Sequence, residues 1–219
     1  MFDRIHVVGR GRVGSAFAAR LTERGVTVGN DRPELVLLCV PDSAIHEVAA
    51  SFAQGPWIAH VSGATPLAAL DPHVTRFGVH PLQTFTKTRG AEQIDGAWAA
   101  LTAENDDAMG RATWLATTLG LRPFAIRDAD RALYHAGAAI ASNYLVTLFK
   151  AASRLLKEAG APPEALIPLM RRTIDNGFDL TGPIARGDMK TVEAHLSAIA
   201  ARAPELADMY RALAAVTPP

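Results

Sequence analysis

The sequence predicts an α/β fold: a doubly wound, mostly parallel sheet, shortened after its second strand and followed by an all-α C-terminal domain. Three observations carry this reading. The chain opens on a short apolar run, Arg4-Ile5-His6-Val7-Val8, that ends in Gly9-Arg10-Gly11-Arg12-Val13-Gly14 and passes straight into a helical pattern. From there to Arg127, strand and helix patterns alternate, as they do in parallel sheets. Beyond Arg127 no convincing strand remains, and amphipathic helices follow one another to the end. The expected domains are 1–128 and 129–219.

In chain order, the first helix is expected from about Val13 to Arg24, stopped by Gly25. Val26-Thr27-Val28 reads as the second strand and Leu35-Val36-Leu37-Leu38-Cys39-Val40 as the third. The unbroken apolar run of the third fits a strand buried on both faces. The link between these two strands, Gly29 to Glu34, is too short for a helix. Extended, it spans ~20 Å. Either the usual helix–strand unit is deleted here, or the pair is an antiparallel excursion. Ser43 to Gln54 is expected as a helix, Trp57–Val61 as a strand, and Thr65 to Leu70 as a short helix. Phe77-Gly78-Val79 reads as a brief strand ending at His80-Pro81. Ala97–Thr102 and Arg122–Ile126 read as strands flanking a helix from Asn105 to Leu119. Asp130 to Gly160 reads as one long helix, with further helices at Pro163–Asn176, Asp188–Ala201 and Pro204–Ala214. The terminal Thr217-Pro218-Pro219 is expected to fray.

Composition narrows the function classes. With 219 residues, 49% of them hydrophobic and 20% charged, the chain can bury a sizeable core. Lys+Arg and Asp+Glu both number 22, so no basic surplus argues for nucleic acid or an anionic membrane. No apolar run reaches the ~18 residues needed to span a bilayer. The single Cys39, among apolar neighbours, cannot form an internal disulfide and reads as a buried structural thiol. The first strand begins almost at once, with no signal-peptide pattern, so a cytoplasmic location is expected. No His/Cys/Asp/Glu cluster has metal-ligand spacing, and no G-x-S-x-G elbow supports a hydrolase.

The glycine turn carries the clearest chemistry. In a strand–turn–helix context, Gly9 serves the tight turn, Gly11 lets a pyrophosphate approach the backbone, and Gly14 lets helix and strand pack closely. The N–H groups of the helix start face the anion, and Arg10 and Arg12 add charge. This makes the first domain Rossmann-like. Near the expected ribose position, Asp31 favours a free 2′-hydroxyl and Arg32 a 2′-phosphate, so NAD and NADP both stay open. Strand ends supply Ser62-Gly63 and His80-Pro81, and helical spacing sets His135, Ala139, Ser142 and Asn143 on about one face. Hydride transfer to or from an alcohol or carbonyl needs a proton-exchanging group and an orienting one. His80 or His135 fits the first role; Ser62 and Asn143 fit the second. Ser62 could instead cap its turn. His60 and His195 read as structural and His73 as a surface loop residue. Arg186, in the Gly182–Asp188 loop, is placed either to bind an anionic substrate group or to pair with Asp188 or Asp179. Asp188 reads as the cap of the following helix.

Several runs together carry a resemblance: the glycine turn, Val40-Pro41-Asp42, Val61-Ser62-Gly63, His80-Pro81-Leu82-Gln83-Thr84-Phe85, Tyr134-His135-Ala136-Gly137, Ala141-Ser142-Asn143-Tyr144 and Leu180–Asp188. They resemble a family of uncharacterised predicted oxidoreductases with a Rossmann-like N-terminal domain and a helical domain of unknown function. That family is similar to the 6-phosphogluconate-dehydrogenase-like superfamily. The resemblance implies NAD(P) binding by the first domain, with Val13, Val40 and Pro41 in the cofactor site. It also implies a homodimer formed through the helical domain, and it does not supply a substrate; Ser142 and Arg186 are expected among the contacts of a small-molecule substrate. A weaker resemblance is to prephenate dehydrogenases, where a Ser after one strand and a His in a His-Pro turn contact the substrate hydroxyl; Ser62 and His80 match them. That group's carboxylate-binding arginine falls on Pro183 here, and the lysine that hydroxyacid dehydrogenases place four residues before the helix Asn is replaced by Ala139. The resulting expectation is an NAD(P)-dependent oxidoreductase acting on a small anionic hydroxy or oxo substrate between the domains. The alternative is a non-catalytic dinucleotide- or metabolite-binding sensor or scaffold with a degenerate cofactor site.

Overall fold

Seven strands, β1 (Arg4–Val8), β2 (Thr27–Val28), β3 (Leu35–Leu38), β4 (Trp57–His60), β5 (Arg76–Leu82), β6 (Trp98–Ala103) and β7 (Arg122–Ala125), form one sheet in the order β2-β1-β3-β4-β5-β6-β7. The computed structural model describes residues 1–217; Pro218 and Pro219, in the terminus expected to fray, lie outside the described residues. The eight α-helices are α1 (Arg12–Glu23), α2 (Ile45–Ala50), α3 (Asp106–Leu119), α4 (Arg131–Ala139), α5 (Leu145–Glu158), α6 (Leu166–Asp175), α7 (Met189–Arg202) and α8 (Ala207–Val216), counted among the described residues. Strands β1 to β5 run parallel, β6 turns antiparallel to β5, and β7 runs parallel to β6. This is the expected doubly wound, Rossmann-like sheet followed by helices.

The short link resolves as a deletion. β2 and β3 are both parallel to β1 and lie on its two sides. Ile5 pairs with Val28 on one side and Leu35 on the other, so Gly29 to Glu34 passes the start of β1. Backbone bonds hold it there: Glu34 N–H donates to the Arg4 carbonyl at 2.9 Å and Arg4 Nε to the Arg32 carbonyl at 3.0 Å. β2 is two residues long and ends level with Ile5.

The chain divides into two compact units, Met1–Ala139 and Ile140 onward. In the first, β3 shows why its run is wholly apolar. Leu35 and Leu37 enter a core with Phe2, Phe17, Phe77 and Leu115 on one face, while Val36 and Leu38 enter a second with Ile45, Ile58 and Leu67 on the other. α1 and α3 cover the first face; α2 lies on the second. Asn105 caps α3 by accepting from Ala108 N–H at 2.9 Å, and Gly120 ends it in the left-handed conformation. Cys39 packs against the first core, and burial pushes its thiol up to about 12. In the second unit α5 packs on α6 and α7 on α8. Asp188 caps α7 as expected, accepting from Thr191 N–H at 3.1 Å.

Several expectations are corrected. β5 does not stop at Val79: β6 pairs His80 with Ala100 and Pro81 with Ala99, carrying the strand to Leu82. The helix expected to reach Gln54 ends at Ala50, where Ser51 and Phe52 bond back to Val48 and Ala49 in tighter turns. The long helix is continuous from Arg131 to Glu158 but changes register: a 3₁₀ turn at Asp128–Asp130 precedes α4, and a π turn, Ile140–Tyr144, joins α4 to α5. Ser142 and Asn143 lie in that π turn, and such side chains compete for backbone partners in helices. His73 is not a surface residue; it is buried, with Nε2 bonded to the Ala49 carbonyl at 3.0 Å. Among the described residues, no helix is long and apolar enough to cross a membrane.

Leu37 lies at the sheet's centre with no exposed surface. Leu37→Ala is expected to lower unfolding free energy by about 2–5 kcal/mol, measured by urea denaturation. A loss under about 1 kcal/mol would contradict its place in the core.

Candidate functional site

The three glycines of the opening turn do different work. Gly9 has φ +103°, and a Cβ there would stand 2.4 Å from the Cys39 carbonyl oxygen. At Gly14 a Cβ would stand 2.1 Å from the Gly9 carbonyl oxygen. Both are required by the packing of β1, α1 and the end of β3. Gly11 is different: its φ is −74°, and no heavy atom lies within 4 Å of where its Cβ would be. Packing gives no reason for a glycine at this position, and open space lies above it. α1 begins there without a side-chain cap, so its first N–H groups remain available. Val40 borders the same turn, its Cγ1 3.4 Å from the Gly9 Cβ position, and Pro41 follows it. Arg10, Arg12 and Val13 flank the open face. These residues suit the diphosphate of a dinucleotide.

A second cluster forms at the C-terminal ends of β4 and β5, where open parallel sheets bind ligands. Side chains alternate across a strand, so His60, Gly78 and His80 share one face. α4 lies over it, bringing Arg131, Tyr134 and His135. His80 Nδ1 and the Tyr134 hydroxyl share a hydrogen bond of 2.7 Å. The rings of His80 and His135 meet edge to face with centroids 5.8 Å apart. They converge over Gly63, where a Cβ would lie 2.5 Å from His135 Cδ2 and 2.9 Å from His80 Nε2. Ser62 shapes that turn. Its Oγ donates to Thr65 Oγ1 at 2.9 Å and accepts from the N–H groups of Ala64 and Thr65. One donor and two acceptor positions exhaust a hydroxyl. Ser62 therefore caps its turn, the alternative that its position also offered.

Beneath the histidines lies Arg131, 1% exposed. Nη1 donates to Thr102 Oγ1 at 2.7 Å and Nη2 to the Ser62 carbonyl, while Nε has no partner. Among the described residues no carboxylate forms an ion pair with it. Burial lowers its pKa from the ordinary arginine value, with Asp128, Tyr134 and Asp42 opposing. Its charge acts on its neighbours. Burial, then His135 and Arg131, push His80 down to about 4. Burial, then Arg131 and His80, push His60 down to about 3, and neither of its ring nitrogens has a hydrogen-bond partner. Burial raises Tyr134 to about 12, so its hydroxyl keeps its proton. The proton on His80 is then set by Tyr134. If the phenol donates to Nδ1, Nε2 carries the proton; if Nδ1 donates, Nε2 is a free acceptor.

Other expected site residues lie elsewhere. Asp31 and Arg32 sit beside Arg4, at the start of β1. Gly9 is at its far end, ~16 Å away at ~3.3 Å per residue. The fold thus does not bring them to the glycine turn, because β2 is too short to rise to it. Asn143, Ser142 and Arg186 belong to the second unit. The shared face expected for His135, Ala139, Ser142 and Asn143 assumed an unbroken α-helix, and the π turn breaks that register. Arg186 pairs with neither Asp188 nor Asp179; Nη1 donates to the Thr181 carbonyl. His195 bonds to Tyr210 Oη at 2.7 Å, a structural role. Sequence reasoning missed Arg131, the part played by His60, and the Tyr134 contact. The available signal was the spacing of Arg131, Tyr134 and His135, which sets them on one turn of a helix.

A family described as a domain of unknown function, DUF2520, matches residues 97–217. No curated protein matches the chain. Among solved structures, a Bacteroides fragilis protein proposed to be an NADP oxidoreductase aligns with a TM-score of 0.79 at 20% identity, over 97% of this chain and 96% of its own. Protein TM1727 from Thermotoga maritima gives 0.79 at 24% identity, over 97% and 96%. Prephenate dehydrogenase from Aquifex aeolicus, in complex with hydroxyphenyl propionate and NAD+, gives 0.60 at 14% identity, over 99% and 97%. At these identities the likeness is one of fold.

Buried His60 and half-buried His80 make stability depend on pH. Unfolded, they take up protons below about pH 6.5; folded, they stay neutral down to about 4 and about 3. Stability is therefore full above about pH 6.5 and falls as pH drops from there. Urea midpoints should decline between about pH 7 and about pH 5, and His60→Leu should decline less than wild type. An identical decline in both would remove His60 from this account.

Proposed function

The chain belongs to the DUF2520 family, and from that premise we propose that it is an NAD(P)-dependent oxidoreductase acting on a small, anionic hydroxy or oxo substrate. One observation carries the reading. Gly9 and Gly14 are demanded by packing, whereas Gly11 faces open space beside available helix N–H groups, as a glycine reserved for a diphosphate does. The Bacteroides fragilis and Aquifex aeolicus proteins, named for NADP and NAD+ in their descriptions, support it.

The bound nicotinamide would supply or accept the hydride. The chain's own residues would do the rest. N–H groups following Gly11, with Arg10 and Arg12, would hold the diphosphate, and Val40 and Pro41 would border it. His80 Nε2 would exchange the proton of the substrate hydroxyl, with Tyr134 setting the tautomer through Nδ1. Burial, then His135 and Arg131, keep His80 uncharged, and the positive field of Arg131 favours an anionic substrate. His135 stands beside His80 as the second candidate for proton exchange. Asn143, Ser142 and Arg186 enter this reading as residues expected from the sequence to orient and contact the substrate. A second reading, a non-catalytic nucleotide sensor, draws support from the two-residue β2, which leaves no strand end to read a ribose.

The helical unit supports a homodimer. Leu145, Val146 and Leu148 on α5 and Ile167, Leu169 and Ile174 on α6 are exposed, apolar surface of the kind that second copies cover. Sedimentation should give about twice the 23.3 kDa chain mass.

Titration with NADH and NADPH, followed by fluorescence, tests the cofactor assignment. Wild type should bind at least one. Gly11→Val should keep its melting temperature and lose nucleotide binding by at least tenfold. Absence of binding to both nucleotides at millimolar concentration removes the reading. In a substrate screen, His80→Ala should lower turnover by about 10²-fold or more with nucleotide affinity retained. Nucleotide binding without turnover on any hydroxy or oxo acid would favour the sensor.

A further inference from the structure

A cavity of about 430 Å³ opens beside the start of α1, bordered by Gly11 and Ser15 on the helix side and by the 86–91 segment on the other. Four cations line it: Arg10, Arg12, Lys87 and Arg89. No carboxylate does. Arg12 reaches only the Phe85 carbonyl, at 3.4 Å, and Arg89 makes a loose pair with Glu92 at 3.8 Å, both side chains 58% exposed. Among the described residues, no carboxylate pairs with Arg10, Arg12 or Lys87. Four like charges around one concavity repel one another and generate a strong positive potential.

The segment that presents Lys87 and Arg89 is built, not loose. Gln93 is buried, and its side-chain amide gathers the backbone around it. Oε1 accepts from Thr86 N–H at 2.9 Å, and Nε2 donates to the carbonyls of Arg89 and Gly90, each at 2.9 Å. Arg20 Nη2 fastens the segment to α1 by donating to the Ala91 carbonyl at 3.0 Å. A buried glutamine and a buried arginine thus hold two further cations against the glycine turn.

We propose that Arg10, Arg12, Lys87 and Arg89 form a receptor for a phosphate monoester dianion. Guanidinium forks and an ammonium match phosphate oxygens, and a hydroxyl at Ser15 adds a donor. The phosphate would come either from the 2′-position of NADP or from a separate phosphorylated ligand. The first source rests on the oxidoreductase reading above; the second does not.

Calorimetric titration of wild type and a Lys87→Ala/Arg89→Ala chain with NADPH, NADH and inorganic phosphate tests this. Both side chains are cavity-lining surface groups, so matching melting curves are expected. If NADPH binds wild type at least tenfold more tightly than NADH and the double variant erases that difference, with NADH affinity unchanged, the receptor takes the 2′-phosphate. If the two nucleotides bind alike, or neither binds, and inorganic phosphate binding weakens at least tenfold in the double variant, the receptor takes a separate phosphorylated ligand. If the double variant binds NADPH and inorganic phosphate as wild type does, the proposal is overturned. Failure of both nucleotides to bind wild type overturns only the oxidoreductase reading.

Discussion

The guanidinium of Arg131 is the contact on which the C-terminal end of β4 and β5 depends. It joins the Ser62 carbonyl after β4 to Thr102 on β6 and anchors the start of α4. Gly78 leaves the room: a Cβ there would lie 3.0 Å from Nη1. A buried cation without a bound carboxylate is costly, and several kcal/mol per ion is the usual order. What that cost secures is electrostatic. Burial first, and this charge with it, hold His60 and His80 well below the ordinary histidine range, and the charge leaves a positive field at the strand ends.

Around that charge, small residues set the shape. Gly63 lets His80 and His135 converge, as Gly9 and Gly14 let β1, α1 and β3 converge. In each case a methyl group would collide with backbone or ring atoms. Gly11 breaks the pattern: open space lies where its Cβ would be. Two kinds of glycine, one shaped by packing and one facing open space, thus occupy a single turn.

Much of this was legible from local pattern. The glycine turn, the wholly apolar β3, and the cap at Asp188 depend on residues close in sequence, and the structure reproduces them. What escaped depends on distant partners. His73 reads as a loop residue until α2 supplies the Ala49 carbonyl. Ser62 reads equally as ligand or cap until Thr65 fills its last bond. Arg131 escaped because its partners, Thr102 and the Ser62 carbonyl, are distant in sequence. The link after β2 showed its length but not its direction, since only the pairing of both strands with β1 distinguishes deletion from excursion.

That link has a consequence for how long a ligand stays. With β2 ending level with Ile5, the strand and helix that usually wall the base end of a nucleotide are missing. An adenine beyond the glycine turn would face water, and attachment would rest on phosphates held by N–H groups and arginines. Such attachment is screened by salt. A nucleotide held in this way would therefore bind more weakly as ionic strength rises.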